Sequence, residues 1–470
     1  MENKQEKMVY QTTLGERISF GVYGFGMTIF FVLISSFLQQ YYLINAAVPA
    51  SIIGVILLVG KIWDAVNDPM FGVIVDKARL KSGKYLPWMR ISTILLPIIT
   101  TLLFFVPINA SVGVKAAFLL IGYILYDATC TMTEVPYFAI TTAMTTNPKE
   151  RSKVISLSKL ISVLPLMVIL FIPALYTTIG WKPTIIIFAV LAMFSMLPGG
   201  FILKERALVR SEKSPRVKEL LKYVISNKFL LIFFSSAIIY GLTNTVGTVG
   251  NLFAIYNLGG DKMIAPIILI STAPAVLSII AVNFLINKFD KLQIVLGALA
   301  ITGITSVIMY FTGYQNMPLF FLLNAIRGFS AGAHTMLFFL FTPDLSEYGT
   351  YVTGIRAEGA AFSIQSFASK VIGAISNAIA LFILGALGFM EGATFQTIQV
   401  QNGLWMLYSI FPVIGATLQA TILMAFYRLR EKDLLIMIKA NQGEISYEDA
   451  NEQLKGKHPR KIVKVKEQAL

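Results

Sequence analysis

Long apolar segments recur along almost the whole chain, and short polar loops separate them. Each segment has roughly 20 residues, the length with which an α-helix crosses about 30 Å of hydrocarbon. The pattern therefore predicts about twelve transmembrane helices. The predicted spans are 18–42, 50–75, 91–107, 112–144, 154–176, 183–203, 229–256, 264–286, 292–311, 318–341, 355–387 and 403–427.

The loops divide the chain into two halves of similar length. The polar stretch 204–228 is the longest between predicted spans, and it separates a six-helix bundle at 1–203 from a second one at 229–427. A charged tail follows at 428–470. Two such bundles are typical of secondary transporters, in which substrate binds near the bilayer midplane. We therefore predict an all-α membrane protein with two six-helix bundles.

The charge distribution predicts the orientation of the helices. The chain is 56% hydrophobic and carries a formal net charge of +14. Lysine and arginine concentrate in alternate loops, near 77–90, 149–153, 204–228 and 288–291, and in the tail. Because cytoplasmic loops carry such an excess, we expect a plasma (inner) membrane protein with both termini, the central loop and the tail in the cytoplasm. The positive charge is thus accounted for without a nucleic-acid partner.

The second predicted span contains charged residues at bilayer depth. Lys61, Asp64, Asn67 and Asp68 interrupt an apolar segment, and a charge there costs on the order of 3 kcal/mol. Asp64 and Asp68 lie four residues apart, so on a helix they share one face. Their repulsion is relieved when a cation binds between them or when one takes a proton. This spacing predicts a site for a coupling ion.

An ion pair is the alternative interpretation of the same residues. Lys61 could pair with Asp64 or Asp68 and hold helices together. One acid would be enough for that purpose, whereas this segment has two.

Span four supplies further oxygen ligands. Thr131 and Glu134 lie three residues apart and share a helix face. Hard cations prefer carboxylate, amide and hydroxyl oxygens. The predicted cation ligands are Asp64, Asn67, Asp68, Thr131 and Glu134.

Span eleven carries the central cation of the second half. Lys370 could neutralise the first-half acids when the ion is absent, or donate to a sugar hydroxyl, although snorkelling to the surface is an alternative. Gln365 and Ser366 add neutral hydrogen-bonding groups beside it. The ring of Tyr126 in span four suits the apolar face of a sugar, although aromatic residues also serve as anchors at the membrane interface.

Neither an enzyme nor a disulfide-stapled protein is expected. The one cysteine, Cys130, lies inside a span. Nucleophile, base and orienting group do not recur together, and the sequence has no histidine or cysteine cluster for a metal. We expect no cofactor, and no metal beyond the coupling cation.

Several motifs resemble one transporter family. The run 61–72, the following Asp76 and 83–88, the pair of Glu134 and Pro136, and the run 343–349 are similar to the glycoside-pentoside-hexuronide:cation symporters. These are melibiose-carrier-like members of the major facilitator superfamily. The resemblance implies that superfamily's twelve-helix fold and sugar symport driven by sodium, lithium or protons.

The resemblance also implies residue roles. Asp64, Asp68 and Glu134 stand at the family's cation-site positions, with Asn67 and Thr131 as lesser ligands. Lys370 matches the family's span-eleven lysine. The residues that look like its cytoplasmic gate are Asp76, Arg151, Asp344, Glu347 and Arg356.

The sugar side departs from the family pattern. Thr28 stands where the family has a sugar-binding aspartate. Lys159 stands where the family has an arginine, so the planar guanidinium that can form two parallel hydrogen bonds is lost. Glu134 replaces an aspartate, while Tyr126 and Cys130 stand where the family has aromatic residues. The predicted sugar-binding residues are Thr28, Tyr126, Glu134, Lys159, Gln365, Ser366 and Lys370. A pentoside, a glucoside or a hexuronide all stay open.

We therefore predict a secondary active sugar:cation symporter that uses Na⁺ or H⁺ by alternating access. Its expected partners are a small sugar or glycoside, a monovalent cation and membrane lipid, and it is expected to be a monomer. A lipid or amphiphile transporter of the same fold and a membrane sugar sensor that does not transport are the alternatives.

Overall fold

Two compact helical units make up the computed structural model of the chain. The structure describes residues 11–77, 82–145, 148–162, 164–206, 217–355 and 358–459, and these ranges contain no β-strand. The first unit comprises Met1–Ser211 together with Gly388–Gln396, and the second comprises Glu212–Leu387 together with Thr397–Leu470. A short segment late in the chain thus belongs to the first unit.

The first unit is built from nine of the helices in the described ranges. They are α1 (Leu14–Val32), α2 (Gln39–Ile44), α3 (Ala50–Lys77), α4 (Leu86–Leu103), α5 (Val112–Met144), α6 (Pro148–Ile161), α7 (Pro165–Ile169), α8 (Ile172–Ile179) and α9 (Trp181–Ile202).

The second unit contains the remaining described helices and a 3₁₀ turn at Asp261–Met263. The helices are α10 (Val217–Ser226), α11 (Lys228–Thr243), α12 (Val246–Asn257), α13 (Ile264–Leu285), α14 (Lys291–Thr312), α15 (Met317–Thr353), α16 (Glu358–Ala386), α17 (Ile398–Ser409), α18 (Phe411–Phe426), α19 (Glu431–Gln442) and α20 (Tyr447–Gln453).

The prediction of an all-α membrane protein is confirmed, whereas the number of twelve spans is not. Within the described ranges, 10 helices are long and apolar enough to cross a membrane. Predicted span ten corresponds to α15, which is long enough but carries the polar residues Asn324, Arg327 and His334. Predicted span five is divided into shorter helices.

Prolines interrupt the helix within predicted span five. Pro165 and Pro173 stand in the first turns of α7 and α8, so the segment runs as α6, α7 and α8. Proline lacks the amide hydrogen that would continue the preceding helix, which explains the position of each break. Pro274 lies inside α13, which continues past it.

A π-helical segment, Leu33–Leu38, joins α1 to α2. Such wide turns are rare and are often found at functional sites. Beyond it, the hydroxyls of Tyr41 and Tyr42 donate to the carbonyls of Phe104 and Leu103, each over 2.8 Å. Two adjacent side chains thereby cover the carboxyl end of α4.

Helix α1 packs closely against α9 at Gly26. A Cβ atom at this position would lie 2.6 Å from the carbonyl oxygen of Ala192, so only glycine permits this approach. The outer faces of the spans expose large side chains such as Phe31 and Phe311, as lipid contact requires. Polar side chains within the spans therefore lie buried between helices.

One such group in the second unit is Arg327, which is only 4% exposed. Its guanidinium donates to the carbonyl of Tyr408 over 2.6 Å and to the side chain of Asn324 over 2.8 Å. The guanidinium also lies 4.6 Å from the centre of the Tyr408 ring. Arg327 thus joins α15 to α17.

The predicted central loop 204–228 contains a helix over part of its length. Helix α10 begins at Val217, and Tyr223 on it is fully buried. The hydroxyl of Tyr223 donates to the carbonyl of Ser346 over 3.2 Å. Apolar residues at helical spacing allow this segment to pack on α15, as an amphipathic helix does.

The predicted tail also folds onto the second unit. Helices α19 and α20 bury Leu434, Met437 and Ala450. The amide of Asn441 donates to the carbonyl and to the carboxylate of Glu347, over 3.0 and 2.8 Å. The tail therefore forms two docked helices up to residue 459.

Carboxylates cover the starts of two helices in the first unit, α1 and α4. Glu16 completes a capping box with Thr13 at α1, and it also binds Arg206 over 2.7 and 2.9 Å. Glu205 accepts three backbone N–H groups from Lys84, Tyr85 and Leu86 at the start of α4, each over 2.8 Å. Free N–H groups and the helix dipole both favour a negative charge at this end.

Glu150, near the start of α6, connects three parts of the chain. It accepts the backbone N–H groups of Gln11 and Thr12 and the hydroxyls of Thr12 and Thr145. Burial alone would raise its pKa, but these hydrogen bonds outweigh burial and lower the pKa from 4.5 to about 2. The charged form is therefore stabilised in the folded protein.

We predict that Glu150→Gln destabilises the protein by about 1.5–3 kcal/mol at neutral pH, because hydrogen bonds to a charge are lost. The wild-type stabilisation is fully present above pH 4.5 and is lost as the pH falls toward about 2. The difference in apparent unfolding temperature between wild type and variant, measured in detergent, should therefore shrink on acidification.

The exposed Glu444→Gln is the matched control, since it removes the same charge at the surface. A difference between wild type and Glu150→Gln that stays constant from pH 6 to pH 3 would contradict the assignment.

Candidate functional site

Helices α3 and α5 pack side by side in the first unit and position the predicted cation ligands. Asp64, Asn67 and Asp68 lie on α3, while Thr131 and Glu134 lie on α5. Asp64, Asn67 and Thr131 are buried, with exposures of 7%, 8% and 2%. Buried polar groups of this kind need partners within the protein.

One hydroxyl joins three of the predicted ligands. The side-chain amide of Asn67 donates to the Thr131 hydroxyl over 2.8 Å, and that hydroxyl donates to the Asp68 carboxylate over 2.8 Å. The structure therefore brings Asn67, Thr131 and Asp68 into one hydrogen-bonded chain. We call these three residues the hydroxyl bridge.

Asp64 binds an ammonium group instead. The Nζ atom of Lys61 lies 3.4 Å from its carboxylate, and the two residues are one helical turn apart. The Lys61 side chain is 30% exposed, compared with 10% for Asp64. The ion pair that the sequence offered as an alternative is thus present at Asp64, whereas Asp68 belongs to the hydroxyl bridge.

Glu134 is more accessible than the other predicted ligands. It is exposed in the described structure, one turn after Cys130, and interacts electrostatically with Cys130 and Tyr126. Its predicted double role, toward cation and sugar, stays a prediction. Tyr126 itself is buried, and its hydroxyl donates to the carbonyl of Phe30 over 3.4 Å.

The other sugar-side residues of the first unit lie on α1 and α6. The hydroxyl of Thr28 donates to the carbonyl of Gly24 over 2.8 Å, within its own helix. The side chain of Lys159 on α6 lies outside the described residues. The predicted sugar-binding roles of both residues remain untested.

In the second unit, Gln365, Ser366 and Lys370 lie on α16. Gln365 is buried and accepts a hydrogen bond from the hydroxyl of Thr342 on α15. Ser366 is exposed and Lys370 is half-buried. Gln365 thus links α16 to α15, whereas Ser366 is accessible.

Three of the five predicted gate residues, Arg151, Asp344 and Glu347, have partners within their own units. Arg151 donates to the carbonyl of Thr145 over 3.2 Å. Lys291 lies 2.6 Å from Asp344, and Asn441 binds Glu347. The side chain of Asp76 and the whole of Arg356 lie outside the described residues.

Sequence reasoning missed the carboxylates that cover helix ends. Thr13 followed by Glu16 is a capping-box signature that could have been recognised locally. Glu150 and Glu205 bind backbone groups more than 100 residues away, so no local pattern indicates their partners. Lys291 was recognised only as loop charge, although it pairs with Asp344.

Comparisons with known proteins identify the family. A family model described as MFS/sugar transport protein matches residues 19–431, which is most of the chain. The chain belongs to this family. The predicted membership among the glycoside and cation symporters of the major facilitator superfamily is thereby confirmed.

Two relatives of this MFS sugar transporter are similar along nearly their whole length. The isoprimeverose transporter of Lactiplantibacillus pentosus is 27% identical over 427 residues, covering 88% of each chain. The glucuronide carrier protein homolog of Escherichia coli is 26% identical over 412 residues, covering 84% of this chain and 88% of the relative.

The same fold occurs in a solved structure. The nucleoside transporter NupG aligns with a TM-score of 0.63 and 12% identity, covering 88% of this chain and 99% of NupG. At this identity the likeness shows the fold alone. Together, the family model and the two relatives show that the chain is an integral membrane sugar transporter of the major facilitator superfamily, and not an enzyme.

We predict that Lys61→Met lowers stability by about 1–2 kcal/mol, because it removes the ammonium group from the Asp64 carboxylate. Lys61→Met combined with Asp64→Asn should recover most of the loss. The apparent unfolding temperature in detergent is measured for Lys61→Met, for Asp64→Asn and for the double variant. Lys262→Met, at an exposed lysine, is the control. Simple addition of the two single effects would show that the residues are not coupled.

Proposed function

We propose that this MFS sugar transporter is a symporter that couples the entry of Na⁺ or H⁺ to sugar uptake by alternating access. The observation that supports the proposal is the hydroxyl bridge of Asn67, Thr131 and Asp68 beside the Lys61–Asp64 ion pair. Carboxylate, amide and hydroxyl oxygens are the ligands that a hard cation prefers.

Thr131 has the chemistry needed to respond to an ion. Its hydroxyl is at once the acceptor from Asn67 and the donor to Asp68. When a cation binds Asp68, the hydroxyl proton turns away and its oxygen becomes a ligand, since a hydroxyl both donates and accepts. When a proton is the coupling ion, it neutralises the Asp68 carboxylate, which then no longer needs this donor.

Lys61 provides a positive charge beside the proposed cation site. Its ammonium compensates Asp64 in the described structure, so one negative charge is neutralised before any ion enters. The proposed cation ligands are Asp64, Asn67, Asp68, Thr131 and Glu134. Bound cation raises the affinity for sugar, and bound sugar raises the affinity for the cation by the same factor, as linkage requires.

The substrate we propose is a glycoside, a pentoside or a hexuronide. The names of two relatives specify isoprimeverose and a glucuronide, a neutral and an anionic sugar. Lys159 and Lys370 supply cations on α6 and α16 that would pair with a hexuronide carboxylate. The proposed sugar-binding set is Thr28, Tyr126, Glu134, Lys159, Gln365, Ser366 and Lys370.

The decisive experiment is uptake into proteoliposomes under an imposed Na⁺ or proton gradient. Labelled isoprimeverose and a labelled glucuronide are the two probes. Accumulation driven by one gradient identifies the cation. Binding without counterflow would instead indicate a sensor.

We further propose that the protein is a monomer in the plasma membrane, with both termini in the cytoplasm. The alternating excess of lysine and arginine in loops supports this orientation. A fluorescent protein fused to the carboxyl terminus should fold and emit light, whereas a periplasmic phosphatase fused there should stay inactive.

We predict that Thr131→Val abolishes cation-driven accumulation, because the hydroxyl bridge loses its central member. Thr133→Val is the matched control, since Thr133 is equally buried and its hydroxyl donates to the carbonyl of Thr129 in its own helix. Uphill uptake under each gradient measures the difference between the variants. Equal uptake by the two variants would contradict the role of Thr131.

Asp68→Asn is a second, independent prediction. It should remove cation-driven accumulation while leaving some sugar exchange, because the amide keeps a hydrogen bond to Thr131 but carries no charge. Counterflow at equal cation concentrations measures the exchange. Undiminished uphill uptake in this variant would rule out Asp68 as a coupling residue.

A further inference from the structure

Predicted span seven is interrupted near its middle. Helix α11 ends at Thr243 and α12 begins at Val246, although both belong to one apolar segment, Lys228–Asn257, that is long enough to cross a membrane. Asn244, between them, has φ −82° and ψ 71°, outside the helical region. Residues 243–246 include neither proline nor glycine, so the interruption must be held by other groups.

Two hydroxyl groups of the second unit hold this interruption in place. The hydroxyl of the fully buried Thr245 donates to the carbonyl of Leu407 over 2.6 Å. The hydroxyl of Ser376 on α16 donates to the carbonyl of Asn244 over 3.1 Å. Within a membrane, non-helical backbone is tolerated only where protein buries it or where it lines a polar cavity. The helix break is therefore a specific feature that α16 and α17 stabilise.

Helix α16 carries a line of residues that ends at the same place. Ser366, Lys370, Gly373 and Asn377 recur at intervals of three or four residues, so they lie along one face of the helix. The hydroxyl of Thr248 on α12 donates to the side-chain oxygen of Asn377. This face therefore runs from two predicted sugar-binding residues to the break in span seven.

The amide groups at this place keep hydrogen-bonding capacity. Among the residues that the structure describes, none hydrogen-bonds to the side chain of Asn244, and Asn377 uses only its oxygen. Both residues are half-buried. An asparagine side chain offers two N–H donors and one acceptor oxygen, which match the hydroxyl groups of a sugar.

Open space adjoins both amides. A Cβ atom added at Gly247 or at Gly373 would meet no neighbouring atom within 4 Å, and both glycines are exposed. Gly247 lies three residues after Asn244, and Gly373 lies one turn before Asn377. Polar groups in the middle of a span are unfavourable against lipid, but favourable against water or a polar solute. The surface therefore suits a ligand that carries hydroxyl groups.

We propose that Asn244, Thr248 and Asn377 form a second sugar subsite, which rests on the proposed sugar transport. It binds the hydroxyls of one ring of a glycoside, while the other ring lies beside Ser366 and Lys370. Seven residues of α16 separate Lys370 from Asn377, about 10 Å along the helix axis and more than the length of one sugar ring. The substrate class is therefore a disaccharide or a longer glycoside, with an uncharged ring at this subsite.

Binding of paired probes tests the subsite. Asn244→Ala should weaken the binding of the disaccharide isoprimeverose by about fivefold, because a hydrogen bond is lost, and leave the binding of xylose unchanged. A disaccharide that ends in glucuronate, with free glucuronate, is the second pair. Calorimetric titration of the purified protein measures each dissociation constant. Asn283→Ala is the matched control, since the Asn283 side chain donates to the carbonyl of Ile279 in its own helix.

Folding is checked separately. Asn244→Ala should unfold at the same temperature as the wild type, because it removes no hydrogen bond among the described residues. Asn377→Ala should weaken disaccharide binding to a similar extent, although it also removes the acceptor of the Thr248 hydroxyl. A loss of binding without a change in unfolding temperature assigns the effect to the subsite.

Thiol labelling measures access to the space without any sugar. Gly373→Cys is compared with Ile304→Cys, at an apolar position that is 60% exposed on α14, both with Cys130→Ser. A charged methanethiosulfonate reagent in proteoliposomes should modify Gly373→Cys about 100-fold faster, because lipid excludes both the thiolate and the reagent. The disaccharide that binds should slow this reaction, and its monosaccharide should slow it less.

The subsite and the proposed function fail in different ways. If the wild type takes up sugar but Asn244→Ala leaves disaccharide affinity unchanged, or weakens both members of a pair equally, the subsite is wrong and the proposed function stands. Equal labelling of Gly373→Cys and Ile304→Cys would also overturn the subsite. A wild type that binds and takes up none of the four probes would refute the proposed function, and the inference with it.

Discussion

A polar group between apolar helices must find its partner inside the protein, and most of the features described above follow from this constraint. In the first unit it explains why Lys61 pairs with Asp64 and why one threonine joins Asn67 to Asp68. It also applies to the backbone. A carboxylate covers the free N–H groups at the start of α4, where Glu205 accepts three of them.

Two buried polar centres satisfy this constraint in different ways. Arg327 binds a backbone carbonyl and an amide oxygen, neither of which can change its charge, so it serves to join helices. Asp68 is bound through the Thr131 hydroxyl, which can turn from donor to acceptor. This ability to exchange partners distinguishes a place where an ion can enter from a permanent link between helices.

The sequence predicted the helical pattern because apolar segments of spanning length are a strong signal, and it predicted the shared face of Asp64, Asn67 and Asp68 because their spacing is helical. It did not predict which acid Lys61 would pair with, since Asp64 and Asp68 lie about one and two turns beyond it on the same helix. Partners far apart in the chain, such as Glu150 with Thr12 or Glu391 with Ala50, depend on tertiary packing. Predicted span ten is a helix, α15, although polar residues such as Arg327 lie within it.

The π-helical segment Leu33–Leu38 has a consequence for how chains of this kind can change in length. A π-turn holds about one residue more than an α-turn, as a single inserted residue would produce. Deleting one residue there would restore an α-helix and leave the residues beyond it facing the same way, because the wide turns already absorb the extra residue. Tyr41 and Tyr42 would then still point toward the carbonyls that they cover at the end of α4. A one-residue alignment gap within this span is therefore compatible with an unchanged packing of the helices, whereas the same deletion within an α-helix would rotate everything beyond it by about 100°.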